Sequence, residues 1–222
     1  METIDDILLE AGLALEEGAS GLVLTDGTTS ICADFTHMLA RLRPGNLNRE
    51  MLVKAAKIKK PAGGCPAAVD ATAGLGDDSL LLAAAGFKVT LFERNPAIAA
   101  LLRNALERAA HVPELTDVVG RMRLVEGDSE TSLPLLGFKP DVVLLDPMFP
   151  AKRKDAAAKK KLQMLQKLEQ PCGDESALLE AAIAAQPRKI VVKRPVKGPY
   201  LANRKPSYAL AGKAIRYDVY VS

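Results

Sequence analysis

The feature that most constrains this chain is a change of rhythm at about residue 67. From there, short apolar runs alternate with segments patterned as helices. AAVDAT reads as a strand and DDSLLLAAAG as a helix closed by Gly86. KVTLFER is a strand, and PAIAALLRNALERAA is a helix with Pro96 in its first turn, where its missing N–H would have no intrahelical partner anyway. MRLVEG and DVVLLD are two more strands. Helices follow at about 155–169 and 175–185, then the strand KIVVKR, and SYALAGKAIRYDVYVS closes the chain as two strands around Gly212. Strands separated by helices pair in parallel, because each crossover helix lies on a face of the sheet. The expectation is an α/β fold: a Rossmann-like, mostly parallel sheet with a C-terminal antiparallel strand. In such sheets ligands bind outside the carboxyl ends of the strands.

The first sixty residues do not share this rhythm. Ile4, Ile7, Leu8, Leu13 and Leu15 lie at helical spacing and predict an amphipathic helix over residues 4–17. GLVLTDGTTSICADF predicts a hairpin around Asp26 and Gly27. Arg41, Arg43, Pro44 and Gly45 mark a loop, and Asn48 is the expected N-cap of a helix running to about Lys59. Pro61, Gly63, Gly64 and Pro66 form a cluster of breakers. The division expected is an N-terminal helix, hairpin and helix appendage over 1–60, with the main domain over 61–222.

A chain of 222 residues, 48% of them hydrophobic, can bury a sizeable core. Cys32, Cys65 and Cys172 lie far apart, which fits neither a disulfide framework nor a zinc site and suits a reducing cytoplasm. METIDDILLE carries no secretory pattern, and no stretch approaches the roughly 20 apolar residues of a membrane span. The net charge of +3 hides an asymmetry. Residues 1–150 hold 14 Lys and Arg against 21 Asp and Glu, whereas residues 151–222 hold 16 against 6. A basic third on an acidic body suggests a face for a polyanion.

The turn after the first strand of the alternation reads DATAGLGDDS, from Asp70 to Ser79. Gly74 and Gly76 resemble a nucleotide-cradling turn, but a dinucleotide fingerprint would continue to a third glycine and a helix start facing pyrophosphate. Here Asp77 and Asp78 follow. They suit the helix dipole and would repel a pyrophosphate, so an NAD-dependent oxidoreductase is disfavoured. They suit a ligand with a sulfonium, an ammonium and ribose hydroxyls, namely S-adenosylmethionine (SAM). Glu93 ends the second strand, where it can accept from both ribose hydroxyls. Asp128 and Ser129 follow the third strand, where an acid can take the adenine amino group. SAM is the cofactor expected, with S-adenosylhomocysteine as product.

The fourth strand ends in LLDPMFP, with Asp146, Pro147 and Phe149. This resembles the Asp-Pro-Pro-Tyr type of turn in methyltransferases that act on exocyclic amines. An amine conjugated to a base is a poor nucleophile because its lone pair is delocalised into the ring. Asp146, with a carbonyl of the Pro147 turn, can accept its N–H hydrogens and localise that pair, and Phe149 can stack on the base. Lys152, Arg153 and Lys154 follow directly, then Lys159, Lys160 and Lys161 on the expected helix, whose Leu162, Leu165 and Leu168 face inward. Lys193 and Arg194 end the next strand. These cations are expected to contact nucleic-acid phosphates, which position a substrate without reading its sequence. His37 and His111 stand apart from these motifs and are expected to be structural or solvated.

VDATAGLG, LFERNP, LLDPMFP, VVKRP, the LAN of residues 201–203 and RYDVY together resemble the ribosomal RNA small subunit methyltransferase J family, from about Gly21 to the end. The resemblance implies a class I methyltransferase that uses SAM to methylate the N2 amine of a guanosine in small-subunit (16S) rRNA. It also implies cofactor contacts at Asp77, Asp78, Glu93, Arg94, Asp128, Ser129 and Asp146, and the rRNA or the small subunit as partner. The first residue after AGLG is Asp77, where better-known members often carry Arg. Two other classes stay open on the sequence: a methyltransferase of another RNA, DNA or a small amine, and a SAM- or RNA-binding assembly factor without turnover.

Overall fold

A computed structural model describes residues 3–59, 64–147, 163–168 and 174–221. At the N-terminus, Thr3 and Asp6 form a reciprocal capping box that starts helix α1 (Ile4–Ala11). Gly12, in the left-handed region at φ +63°, stops it. The helix expected to reach residue 17 therefore ends early, and the chain passes into strand β1 (Ala14–Gly18). β1 pairs antiparallel with β2 (Gly21–Thr25), which pairs with β3 (Ser30–Cys32). The hairpin between β2 and β3 turns where the sequence predicts it. Asp26 Oδ1 accepts the N–H groups of Thr28 and Thr29 at 2.9 and 2.7 Å.

A 3-10 turn (Phe35–Met38) leads into α2 (Leu39–Leu42), α3 (Pro44–Leu47) and α4 (Met51–Ala56). The sequence placed a loop at 41–45 and a helix start at Asn48; both need correction. Pro44 opens a short helix because its fixed φ suits a first position. Asn48 closes that helix, its N–H reaching Pro44 O at 3.2 Å, and α4 begins only after extended Glu50.

The alternation from residue 67 builds one sheet. Its elements are β4 (Ala67–Asp70), α5 (Asp77–Ala84), β5 (Lys88–Glu93), α6 (Pro96–Ala109), α7 (Pro113–Val119), β6 (Met122–Glu126), α8 (Ser129–Ser132), β7 (Val142–Leu145), α9 (163–168), α10 (Glu175–Ala184), β8 (Lys189–Pro195), β9 (Tyr208–Ala211) and β10 (Ile215–Val221). The strand order is β6-β5-β4-β7-β8-β10-β9. The first five strands are parallel, while β10 is antiparallel to both β8 and β9. The chain winds outward from β4 to β6 and then returns to place β7 against the other side of β4. That reversal opens a crevice at the carboxyl ends of β4 and β7. The helix α7 was not anticipated. The rest of the helix expected at 155–169, including Leu162, lies outside the described residues.

Period-two alternation assigns the strand side chains to two cores. Ala68, Leu91, Leu144, Val191 and Val219 face one way, against Leu80 of α5 and Leu102 of α6. Val69, Phe92, Val143, Leu145 and Val192 face the other, against Leu178 and Leu179 of α10. The first core also takes in Leu24, Phe35 and Leu52, so residues before the breaker cluster share an interior with the sheet. One strand in from the far edge, Arg216 of β10 pairs with Asp218 at 2.9 Å and donates to the carbonyls of Pro195, Val196 and Gly198 at 2.7–2.9 Å. This clamp gathers the loop after β8 and supplies a physical reason for the Arg and Asp of RYDVY.

Candidate active site

The crevice between β4 and β7 is a cleft of about 540 Å³, within the size range of small-molecule sites. Its floor is built where strands end in acids. Asp70 closes β4 and is 1% exposed. Its carboxylate accepts the Ser79 hydroxyl at 2.6 Å and the Thr72 N–H at 3.1 Å. Desolvation pushes its pKa up to about 7, with the charges of Asp78 and Asp146 adding to the rise and its hydrogen bonds opposing it.

Residues 71–76 cross from β4 to α5, and two glycines shape that crossing. Gly74 (φ +54°) and Gly76 (φ +87°) both occupy the left-handed region, but only Gly76 is crowded. A Cβ there would meet Leu102 Cδ1 at 2.7 Å and Phe35 Cζ at 3.0 Å. Glu93, at the end of β5 and 4% exposed, holds the turn: its Oε2 accepts Gly74 N–H at 2.9 Å and its Oε1 accepts Asn95 N–H at 2.8 Å. Desolvation lifts its carboxyl above the ordinary value against those two donors. Each carboxylate oxygen can accept more than one hydrogen, so a ribose hydroxyl can still be received.

On the third strand end, Asp128 caps α8 by accepting Glu130 N–H at 2.8 Å, and Ser129 is buried beside it. Arg94, Asp128 and Ser129 all line the cleft. On the β7 side, Asp146 donates its N–H to Thr72 Oγ1 at 2.7 Å, which ties the ends of β4 and β7 together. Pro147 is buried and lines the cleft as well. Desolvation raises the Asp146 carboxyl, with Lys193 pulling it down and Asp78 pushing it further up.

Several expected positions fall elsewhere. Lys193 was expected at a phosphate-contacting edge, but it points into the cleft, its Nζ 2.6 Å from Asp78 Oδ2 and 2.8 Å from Asp146 Oδ2. Burial works against its charge, but the two carboxylates outweigh that and hold the ammonium above lysine's usual range. Arg194 was expected at the same edge. Its side chain is fully buried and donates to both oxygens of Glu175 at 3.0 Å, so it cannot reach a phosphate. The same Glu175 accepts Ala202 N–H at 3.0 Å, holding the LAN turn, where Ala202 and Asn203 both have positive φ. His37 is not isolated: its Nε2 lies 3.2 Å from Asp77 Oδ2, and its Nδ1 contacts the Asp34 carbonyl. Asp77 thus sits at the rim with His37, while Asp78 turns inward. Phe149, Lys152, Arg153, Lys154, Lys159, Lys160 and Lys161 lie outside the described residues. Arg41 and Tyr217 line the cleft and were not anticipated. Tyr217 could have been suspected from alternation along β10, whereas nothing local distinguishes Arg41.

Asp70, Asp78, Glu93, Asp128 and Asp146 make the lining rich in carboxylates. That donor set fits a ligand with a cationic sulfonium, an ammonium and vicinal hydroxyls better than it fits a pyrophosphate. The family described as "Putative SAM-dependent methyltransferase" matches residues 9–222. The crystal structure of the SAM-dependent methyltransferase NGO1261 from Neisseria gonorrhoeae superposes with a TM-score of 0.76 at 32% identity, covering 100% of this chain and 92% of that one. The fold and the cleft are those of a class I SAM-dependent methyltransferase, and SAM is its cofactor. The chain is 46% identical over 182 residues to the ribosomal RNA small subunit methyltransferase J of Aeromonas salmonicida, covering 82% of this chain and 72% of that one. It is 42% identical over 218 residues to the protein of that name from Pseudomonas aeruginosa, covering 95% and 83%. The chain belongs to the ribosomal RNA small subunit methyltransferase J family. Among the described residues no helix is long and apolar enough to cross a membrane.

Proposed function

We propose that this enzyme methylates the exocyclic N2 amine of a guanosine in small-subunit (16S) rRNA, with the rRNA or the small subunit as its partner. The observation that carries the reading is Asp146. It stands at the carboxyl end of β7 and lines the SAM cleft, with its backbone anchored on Thr72. The names of the relatives support RNA as the substrate class, and the basic C-terminal third supports a polyanion.

Glu93 receives the ribose hydroxyls, and Asp128 with Ser129 receives the adenine edge. Asp70, bonded to Thr72 and Ser79, ties together the two ends of the turn against which the cofactor lies. Asp77 and Asp78 provide negative charge where the amino group sits, and Arg94 adds a cation at the cleft wall. SAM supplies a methyl group on a sulfonium: the N–C bond forms as the C–S bond breaks, and the nitrogen then sheds a proton to solvent. Asp146 and a carbonyl of the Pro147 turn accept the amine hydrogens and direct the lone pair, while Phe149 stacks on the guanine. Catalysis is then mainly positioning and electrostatics. Lys152, Arg153, Lys154, Lys159 and Lys160 take phosphates, and a guanosine in structured RNA is splayed out to reach Asp146.

The test uses labelled SAM and small ribosomal subunits from a strain lacking the gene, followed by digestion to nucleosides and mass spectrometry. Labelled N2-methylguanosine is expected. Label in another amino-methylated base keeps the amine chemistry and overturns the substrate. No label, with SAM binding intact, overturns the rRNA reading.

A further inference from the structure

The least expected arrangement in the cleft is a lysine between two acids. Lys193 leaves β8, and its ammonium lies 2.6 Å from Asp78 at the start of α5 and 2.8 Å from Asp146 at the end of β7. The three residues come from three elements, with Asp78 and Lys193 separated by 115 positions in the chain. The lysine side chain is 26% exposed, that of Asp78 17% and that of Asp146 36%, so solvent screens the contact with Asp78 less than a surface pair and reaches part of the contact with Asp146. Such a bridge ties together the two walls of the cleft, one assigned to the cofactor and the other to the target amine.

We propose that Lys193 is a positioning residue for methyl transfer: its ammonium, braced by Asp78, holds the Asp146 carboxylate in place and charged, as the amine acceptor. The inference rests on the reading of Asp146 given above. A neutral carboxylic acid presents one oxygen as a donor and accepts amine hydrogens poorly, whereas a carboxylate presents both oxygens as acceptors.

The surroundings of Asp146 make a countercharge necessary. Asp78 on α5 and Asp70 on β4 add negative charge, and desolvation favours the protonated form. Tyr217 on β10 is buried at the same cleft, and its hydroxyl is pushed up by burial and by Asp78 and Asp146, so it remains neutral. Arg194 on β8 contributes a weaker attraction, but its guanidinium is committed to Glu175. Among the described residues, Lys193 is the cation in contact with Asp146, and it is shared with Asp78, so the three groups together keep a net negative charge. A phosphate-contacting lysine would extend to the protein edge, but here the ammonium is turned inward between two carboxylates.

The test compares the full-length protein with Lys193→Met and Lys193→Arg. The first reading is the carbon-13 NMR titration of the Asp146 carboxyl carbon, assigned by its disappearance in Asp146→Asn. An opposite charge at this distance shifts a carboxyl by about 1–3 pH units, so Lys193→Met is expected to move the midpoint upward by that amount. Lys193→Arg should restore most of the shift. The acid limb of kcat for methyl transfer should move the same way in the Met variant, with S-adenosylhomocysteine affinity by calorimetry kept within about threefold. An unmoved Asp146 midpoint overturns the proposal. So does a tenfold or larger drop in S-adenosylhomocysteine affinity with the midpoint unmoved, which would make Lys193 a cofactor contact. The NMR titration needs no RNA, so it can succeed while the rRNA assay fails, and the two readings are tested separately.

Discussion

At the scale of single residues, the site depends on acids placed where water is scarce. Asp70 is the extreme case, with its pKa pushed up to about 7 by burial. Between the unfolded carboxylate value near 4 and pH 7, the folded chain keeps a proton on Asp70 that the unfolded chain has lost. The native state binds more protons in that window, so stability falls as pH rises through it. Asp70→Asn removes the titration, and Asn can still serve Thr72 and Ser79. The wild type is expected to lose roughly 2–3 kcal/mol more than Asp70→Asn between pH 5 and pH 7, measured by urea unfolding at each pH. Parallel stability curves would refute the shifted titration. Asp146→Ala is expected to abolish methyl transfer while leaving SAM affinity within about tenfold; collapse of binding in calorimetry would make Asp146 a cofactor residue first. Asp70, Glu93, Asp128 and Asp146 were legible in the sequence because each ends or follows an apolar run. The fate of Lys193 was not, since its partners belong to other elements.

At the scale of elements, the Gly74–Gly76 turn shows how the same residue type can serve different ends. Both glycines take positive φ, but only Gly76 is pressed against neighbours, Leu102 of α6 and Phe35 of the 3-10 turn. Gly74→Ala therefore meets only the backbone cost of a left-handed L-residue, about 1–2 kcal/mol. Gly76→Ala adds overpacking and should cost about 2–4 kcal/mol. Thermal unfolding of the two variants checks the order, and equal losses would contradict the packing account. The strands and long helices after residue 67 were readable because an apolar period is a local property of the chain. The elements before residue 60 were less so. The apolar spacing of residues 4–15 continues past Gly12, yet the left-handed cap ends α1 there and Leu15 joins β1. Pro44 read as a breaker and opens a short helix instead.

At the scale of the whole molecule, charge and connectivity divide the work. The surplus of cations after residue 150 is a property of composition, and it supports contact with RNA phosphates. Neutralising Lys152, Arg153, Lys154, Lys159 and Lys160 together should weaken binding to rRNA and flatten its dependence on salt. The slope should fall by roughly 0.7 for each single-strand phosphate that is no longer neutralised. Filter binding across a salt series measures this, and an unaltered slope would return these side chains to the solvated surface. Arg194 adds nothing of this kind, because tertiary packing buries it against Glu175. Phe35 and Leu52 from the first sixty residues enter the same core as Leu80 and Leu102, so the turn at Gly76 is supported from outside the strand–helix alternation. The sequence by itself determined the α/β class, the strand ends that carry the acids, the glycine turn after the first strand of the alternation and the basic third, because periodicity, terminal residues and net charge are all local or additive. Only the tertiary structure decided that β7 lies beside β4, that Lys193 turns inward to bridge Asp78 and Asp146, and that His37 meets Asp77. Those outcomes depend on which distant elements are packed together, and side-chain direction and desolvation exist only once that packing is in place.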